Sequence, residues 1–200
     1  AIIEAVAITE DGGIIPTTSV GNSASFAIFA EKVIVEINTN LSPAFEGLHD
    51  IYIPTYRPTR QPIPLTQVDE RIGTHAINID PAKIVGIVIN NDLHDSPSTV
   101  TAPDDETQGI ADHLIAFFEK EVAEERLPKN LGPLQAGIGS IANAVLTGLK
   151  DSNFEDLVMY SEVLQDCTFE LIDAGKMKFA SGSSITLSAK YGEKVFNNLE

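Results

Sequence analysis

Short apolar runs rich in β-branched residues recur along this chain and alternate with segments of helical character. "AIIEAVAI" (residues 1–8) and "KVIVEIN" (residues 32–38) have the composition of strands. The segment between them, "GNSASFAIFAEK" (residues 21–32), has the composition of a short helix. A strand, a helix and a second strand in this order predict a βαβ unit with parallel strands. This order therefore predicts an α/β fold.

The same alternation continues through the rest of the chain. "KIVGIVIN" (residues 83–90) is an almost continuous apolar run, typical of a strand covered on both faces. A helix with one apolar face is predicted next, running to about Arg126. Its apolar positions are Ile110, Leu114, Phe117, Phe118 and Val122. After it we predict strands at "PLQAG", "DLVMY" and "FASGSSITLS", with helices at "SIANAVLTGL" and near "CTFELIDAG".

A segment rich in Pro, Ser, Thr and Asp separates the two halves of this pattern. It reads "NDLHDSPSTVTAPDDETQ" (residues 91–108), and within it "PDDE" is a strong helix start. We therefore predict two α/β units, residues 1–96 and residues 109–200, joined by a linker at residues 97–108.

The charge balance narrows the classes of partner. The sequence has 29 acidic and 13 basic residues, a formal net charge of -16. Nucleic acids and anionic membranes bind clustered Lys and Arg, so neither is expected as a partner. No apolar run approaches the ~20 residues that span a bilayer. An anionic small ligand stays possible, because backbone N–H groups at helix N-termini can bind one.

Two further features concern processing and thiol chemistry. The chain begins inside a predicted strand and without Met, so we expect a processed product or part of a longer chain.

Cys167 is its single cysteine, which excludes an intrachain disulfide and favours a reducing compartment. No His lies near Cys167 in sequence, so a buried structural thiol is favoured over a nucleophile.

The richest local signal is "LQAGIGSIANAVL" (residues 134–146), where a strand enters a Gly-x-Gly turn and then a helix. Gly137 and Gly139 allow backbone torsions that other residues avoid, and they let a ligand approach the main chain. The N–H groups that follow favour negative charge. Tight turns also use glycine for packing alone, so this motif permits an anion site without requiring one.

Glu162 is the second signal, because it follows the predicted strand "DLVMY" (residues 156–160). Ligands gather at the carboxyl ends of parallel strands, and the glycine turn follows a strand too. Both features are therefore expected at one sheet edge, with backbone donors beside a carboxylate that could act as a nucleophile. The alternative is an ordinary solvated acid at the end of a strand.

The remaining candidates are weaker. The histidines lie apart in sequence without metal-type spacing; they are His49, His75, His94 and His113. Ser23, Ser140 and Ser161 fit no Gly-x-Ser-x-Gly elbow, which disfavours a serine hydrolase. The glycine-bearing loop "EDGGIIPTTSVGNS" (residues 10–23) could line a cleft or be a plain turn.

Several longer stretches together resemble a known family. "LQAGIGSIANAVLTGL", "FEDLVMYSEVLQD" and "LIDAGKMKFASGSSITLS" resemble the central part of the acetyl-CoA hydrolase/transferase family, a group of family I CoA-transferases. "AIIEAVAITEDGGIIPTTSVGNS", "FEGLHDIYIP" and "PIPLTQVDERIGTHAINID" resemble its first half. The likeness covers nearly the whole chain and is greatest toward bacterial succinyl-CoA:acetate CoA-transferases; fungal enzymes called acetyl-CoA hydrolases belong to the same family.

This resemblance implies a fold, and it implies that this chain supplies only a part of that fold. It implies tandem CoA-transferase-type (NagB/RpiA-like) parallel-sheet domains, of which this chain would supply the middle portion of a longer enzyme. Residues 1–96 would be the C-terminal part of the first domain. Residues 109–200 would be the N-terminal part of the second domain and would carry the nucleophile.

The resemblance also implies a site and a reaction. Glu162 would be the covalent nucleophile of a ping-pong CoA transfer through a glutamyl-CoA thioester, from succinyl-CoA or a similar donor to a short acid such as acetate. Coenzyme A would be a substrate, with no permanently bound cofactor and no metal. The residues implied to line the CoA and oxyanion site are Gly137, Ile138, Gly139, Ser140, Ile141 and Asn143.

Three functions therefore stay open at this point. The first is a CoA-transferase of acetate metabolism, expected to be a cytoplasmic homodimer that binds neither nucleic acid nor membrane. The second is an acyl-CoA hydrolase, in which water resolves the same intermediate. The third is a non-catalytic CoA-binding α/β module with Glu162 as a structural acid.

Overall fold

The computed structural model describes residues 1–91 and 103–199 and divides into two compact units. The first unit comprises Ala1–Ser96 and Gly192–Glu200, and the second comprises Pro97–Tyr191. Each unit combines helices with a sheet that contains parallel strands, so the predicted α/β class with parallel sheets is confirmed. The assignment of the two stretches to successive domains of a longer family member stays a prediction.

The first unit holds a four-stranded mixed sheet. Its elements are β1 (Ile2–Ile8), β2 (Ile14–Pro16), α1 (Ser23–Phe29), β3 (Val33–Asn38) and β4 (Ile84–Asn90), with 3-10 turns at Pro43–Phe45 and Pro81–Lys83. The spatial order is β2-β1-β3-β4. β1, β3 and β4 are parallel, as the βαβ pattern predicts. β2 is antiparallel to β1, since the short turn between them allows only a hairpin.

The prediction for "KIVGIVIN" is half right. The segment is strand β4, but it is not covered on both faces, and Ile89 is 75% exposed. Val85, Ile87 and Val88 are also largely exposed. Within residues 1–91 and 103–199, β4 pairs only with β3 and forms the edge of the sheet. The continuous apolar run therefore specifies a strand without specifying its neighbours.

The second unit holds a three-stranded parallel sheet of order β5-β6-β7. Its elements are α2 (Asp105–Ala123), β5 (Pro133–Leu134), α3 (Ser140–Asp151), β6 (Leu157–Leu164), α4 (Asp166–Asp173) and β7 (Met177–Ile185); α5 (Ala189–Phe196) follows. α2 begins inside the segment assigned to the linker. A capping box starts it, because the Asp104 carboxylate accepts from the Thr107 N–H at 2.8 Å and the Thr107 hydroxyl accepts from the Asp104 N–H at 2.9 Å.

The apolar face of α2 is narrower than the sequence pattern suggests. Ile115, Phe118 and Val122 pack against the core of the second unit. Phe117 is 51% exposed and Ile110 is also largely exposed, although both belong to the predicted stripe. Recurrence at three and four residues marks a broad face of the helix, and only tertiary packing selects the part that is buried.

The core of the second unit lies between the sheet and helices α3 and α4. Its buried residues are Leu146, Leu149, Phe154, Leu157, Met159, Leu164, Cys167, Leu171 and Met177. Leu157 and Met159 are buried on one face of β6, whereas Tyr160 is exposed on the other face, and Leu164 at the end of the strand is buried again. This alternation positions the residues of the candidate site.

Candidate active site

Glu162 lies inside strand β6 and not beyond its end. The sequence places the end of the strand at Tyr160, whereas β6 extends to Leu164. The reason is β7, which pairs with β6 along its whole length and reaches Ile185 opposite Leu164. The Glu162 side chain is exposed and shares the strand face of Tyr160, opposite to the face of the buried Met159.

The other neighbour of β6 ends early. β5 is only two residues long, and its last pair joins Leu134 to Met159. The chain then leaves the ladder and enters the glycine loop, which we define as residues 136–139. From Tyr160 onward, β6 therefore has a strand on the β7 side and the start of this loop on the other.

A single hydroxyl group joins the glycine loop to β6. The Ser161 hydroxyl donates to the Ala136 carbonyl oxygen at 2.9 Å, and it also accepts from the Ala136 N–H at 3.4 Å. Gly137 follows Ala136 and Glu162 follows Ser161 in the chain. The loop is therefore held beside the strand at the position of the candidate nucleophile, as the sequence analysis expects from two features at one sheet edge.

The main chain of Glu162 is fixed from the opposite side. The Ser183 hydroxyl of β7 donates to the Glu162 carbonyl oxygen at 2.9 Å. Gly182 lies next to that serine, and a Cβ there would approach Leu164 Cγ to 2.9 Å. β7 thus packs closely against β6 at this level, so that the backbone of Glu162 is anchored while its carboxylate faces solvent.

The glycine loop has the backbone geometry that the motif suggests. Gly139 has φ 133° and ψ 170°, a region that is essentially closed to residues with a Cβ. Gly139 is the N-cap of α3 and supplies no side-chain acceptor, and the first turn of α3 contains no acidic residue. The first N–H groups of the helix are therefore without the carboxylate or hydroxyl cap that most helices carry, which suits an anion or a developing oxyanion.

The predicted CoA-lining residues fall into two groups. Gly137, Gly139, Ile138 and Ile141 are exposed, with Ile138 at 73%, and Ser140 is half-buried at the start of α3. Asn143 is buried, and its Oδ1 accepts from the Cys167 thiol at 3.5 Å. The Asn143 side chain is thus engaged between α3 and α4, and its role in CoA binding stays a prediction, as do those of the loop residues.

Cys167 has the environment of a structural thiol. It lies in the core of the second unit, and burial raises the pKa of its thiol to about 11. A raised pKa keeps the thiol protonated at neutral pH, whereas the thiolate is the nucleophilic form. Cys167 is therefore not activated as a nucleophile, in line with the buried structural thiol that the sequence predicts.

The loop glycines make a matched pair for mutagenesis. We expect Gly139→Ala to cost about 1–3 kcal/mol in unfolding free energy, because alanine must adopt the φ of 133° or distort the loop. Gly137→Ala should cost far less, since a Cβ at Gly137 meets no atom within 4 Å. Urea denaturation of both variants measures the difference. Equal costs would show that the φ of Gly139 does not constrain the loop.

Among the described histidines, His49 and His75 share a cavity and His113 lies elsewhere in the chain. His49 is partly buried in the first unit, where its Nε2 lies 3.0 Å from the Thr17 carbonyl oxygen and burial lowers its pKa. His49 and the exposed His75 line a cavity of about 540 Å³ in that unit. His113 is exposed on α2, and His94 lies outside the described residues. Ser23 begins α1 in the first unit.

Metal-binding clusters and membrane-spanning helices are both absent from the described residues. In residues 1–91 and 103–199, no three His, Cys, Asp or Glu side chains are grouped so that they could hold a metal ion. Over the same residues, no helix combines the length and the apolar character needed to cross a bilayer.

The chain is similar in sequence to proteins of one family. Residues 1–89 match the model of the acetyl-CoA hydrolase/transferase N-terminal domain. An acetyl-CoA hydrolase of Schizosaccharomyces pombe is 49% identical over 200 residues, which are 100% of this chain and 38% of the relative. A succinyl-CoA:acetate CoA-transferase of Clostridium kluyveri is 50% identical over 188 residues, 94% of this chain and 35% of the relative. The chain thus spans less than two fifths of the length of these relatives.

Solved structures give the same fold at low identity. RipA from Yersinia pestis aligns with TM-score 0.61 and 17% identity, covering 98% of this chain and 38% of that chain. A 4-hydroxybutyrate CoA-transferase from Porphyromonas gingivalis aligns with TM-score 0.61 and 18% identity, covering 98% of this chain and 42% of that chain. At such identities these likenesses concern the fold alone.

Proposed function

The chain belongs to the acetyl-CoA hydrolase/transferase family, and from this premise we propose that the protein moves CoA between an acyl-CoA and a short carboxylic acid, with Glu162 as the covalent nucleophile. The observation that carries the proposal is the position of Glu162. It presents an exposed carboxylate on β6, next to a glycine loop that Ser161 ties to the same strand.

The reaction proceeds in two halves. The Glu162 carboxylate attacks the thioester carbonyl, the C–S bond breaks, and CoA leaves as a thiolate from an acyl-glutamyl anhydride. The thiolate then attacks the glutamyl carbonyl and expels the first acid as its carboxylate, which leaves a glutamyl-CoA thioester. A second carboxylate attacks that thioester to form a new anhydride, and the released thiolate attacks its acyl carbonyl. The products are the new acyl-CoA and free Glu162.

Each attack generates a tetrahedral oxyanion that needs hydrogen-bond donors. The glycine loop and the uncapped start of α3 supply backbone N–H groups on the β5 side of Glu162. Preorganised donors of this kind stabilise such intermediates strongly, because they need no reorientation when the charge develops. The exposed Ile138 and Ile141 flank these donors and can contact the apolar part of a CoA arm.

Hydrolysis is the second candidate function. The Glu162 side chain is exposed, so water can reach an acyl or CoA adduct on it unless a bound substrate excludes that water. Several relatives, including the Schizosaccharomyces pombe protein, carry the name acetyl-CoA hydrolase. Transfer and hydrolysis share the first half of the reaction and differ in whether a carboxylate or water resolves the intermediate.

Trapping with acyl-CoA tests the proposal. We expect the full-length protein, incubated with acetyl-CoA and then with borohydride, to carry a modification that peptide mass spectrometry locates on Glu162. Added succinate should yield succinyl-CoA if the protein is a transferase. CoA release that is unaffected by succinate or acetate would instead indicate hydrolysis. An unmodified Glu162 in a protein that still binds CoA would support the non-catalytic module and overturn the proposal.

The finer parts of the proposal follow the family. We propose succinyl-CoA or a similar donor, acetate or a similar acceptor, and CoA as a substrate without a permanently bound cofactor. We further propose a cytoplasmic homodimer. Size-exclusion chromatography with light scattering tests the dimer, and rates with a panel of acids test the acceptor.

A further inference from the structure

One side chain, that of Ser161, forms the hydrogen bonds that join the glycine loop to β6, and the Ala136 side chain packs against the core of the same unit. β5 and β6 exchange their last ladder contact at Leu134 and Met159. Two residues further along each of these segments, the Ser161 hydroxyl forms hydrogen bonds with both the carbonyl oxygen and the N–H of Ala136. A hydroxyl can donate and accept at once. It therefore takes the place of the two main-chain groups of β6 with which Ala136 would pair if β5 were longer.

The Ser161 hydroxyl lies between the two parts of the candidate site, the glycine loop and the strand that carries Glu162. Ala136 precedes Gly137, the first glycine of the loop, and Ser161 precedes Glu162 in the chain. The hydrogen bonds therefore connect the residue before the donors to the residue before the nucleophile. Gly139 supplies no side-chain hydrogen bond of its own, so within the loop the Ser161 link is the polar contact that ties its start to the strand of Glu162.

We propose that Ser161 is a positioning residue that holds the backbone donors of the glycine loop against the Glu162 carboxylate during acyl and CoA transfer. This inference rests on the proposed function, because the donors matter only if Glu162 forms covalent intermediates. Ser161 itself touches no reacting atom. Its loss should lower kcat through a poorly placed loop, while KM for the acyl-CoA changes little.

The chain offers a matched control in Ser152. The Ser152 hydroxyl also bonds to two main-chain groups, donating to the Leu149 carbonyl oxygen at 2.7 Å and accepting from the Phe154 N–H at 3.2 Å. It does so at the C-terminal end of α3, whereas the glycine loop lies at the N-terminal end. Ser152→Ala therefore removes the same type of contact without touching the loop.

The test uses three variants of the full-length protein. We expect Ser161→Ala to lower kcat about 10- to 100-fold, Ser161→Thr to restore kcat because it keeps the hydroxyl, and Ser152→Ala to stay within about twofold of wild type. Hydrogen exchange should accelerate in the peptide covering residues 136–139 only for Ser161→Ala. The thermal midpoints of Ser161→Ala and Ser152→Ala should fall by similar amounts.

Three results would overturn the inference. Unchanged kcat in Ser161→Ala would do so, as would equal losses of kcat in Ser161→Ala and Ser152→Ala, which would indicate a general effect of stability. Unchanged loop exchange would show that the hydroxyl does not hold the loop. Wild-type protein that forms no adduct on Glu162 would instead reject the proposed function, and with it the catalytic role of Ser161, even where loop exchange responds.

Discussion

Glu162→Ala is expected to reduce acyl-CoA:carboxylate transfer by about 10⁴-fold or more, the scale of loss that follows removal of a covalent nucleophile. Glu162→Gln should lose as much, because the amide keeps the size of the side chain but lacks a nucleophilic carboxylate. Both variants should also lose the mass adduct formed with acetyl-CoA. The initial rate of acyl-CoA formation and intact-protein mass spectra measure the two effects.

A second glutamate provides the comparison. Glu155 lies just before β6, at the opposite end of the strand from Glu162, and its carboxylate pairs with Lys176 at 2.7 Å on the protein surface. The Glu155 end of this pair is 62% exposed and lies away from Glu162, although the Lys176 side chain is only 18% exposed, so Glu155→Gln should keep transfer within about twofold. Retained transfer in Glu162→Ala would reject Glu162 as the nucleophile, and a loss in Glu155→Gln would point to a general effect of charge.

Leu171→Ala is expected to lower the unfolding free energy of the second unit by about 2–5 kcal/mol. Leu171 is 0% exposed on α4 and belongs to the core cluster that also contains Leu157 and Met159. Truncation leaves a cavity that close-packed neighbours fill only partly. Urea titration followed by hydrogen exchange of the α4 and β6 peptides measures the loss and assigns it to this unit.

The neighbouring residue makes the control. Ile172 is 41% exposed on the same helix, so Ile172→Ala removes far less buried surface and gains some helix propensity. We expect a cost below about 1 kcal/mol for Ile172→Ala. Similar costs for the two variants would contradict the assignment of Leu171 to the core of the second unit.

Local patterns predicted most elements but not their extents. The alternation of apolar runs and helix-forming segments was sufficient for the parallel α/β class, because strand and helix periodicities differ and a βαβ connection has few alternatives. Strand ends were harder to predict. "PLQAG" contributes only Pro133–Leu134 to a strand, whereas β6 continues to Leu164, since strand length depends on the partner strand.

The candidate site was predictable only in part, because residue types can be recognised in the sequence but contacts between distant residues cannot. Glu162 and the glycine motif stand out as residue types with chemical meaning, and family resemblance assigns roles to them. From the sequence, Ser161 stands out only as one of the serines that fit no hydrolase elbow. Its bonds to Ala136 depend on the register of β5 and β6, and register brings together residues far apart in sequence.

The sequence by itself determined the α/β class, the glycine turn before α3 and the presence of an acid near the end of a buried strand. These follow from short-range periodicity and backbone preferences, which act within a few residues. Only the tertiary structure decided that Glu162 lies within β6, that Asn143 is directed toward Cys167, and that Ser161 binds the glycine loop. Those outcomes depend on which strands and helices pair and where each pairing stops, and that is settled by long-range packing.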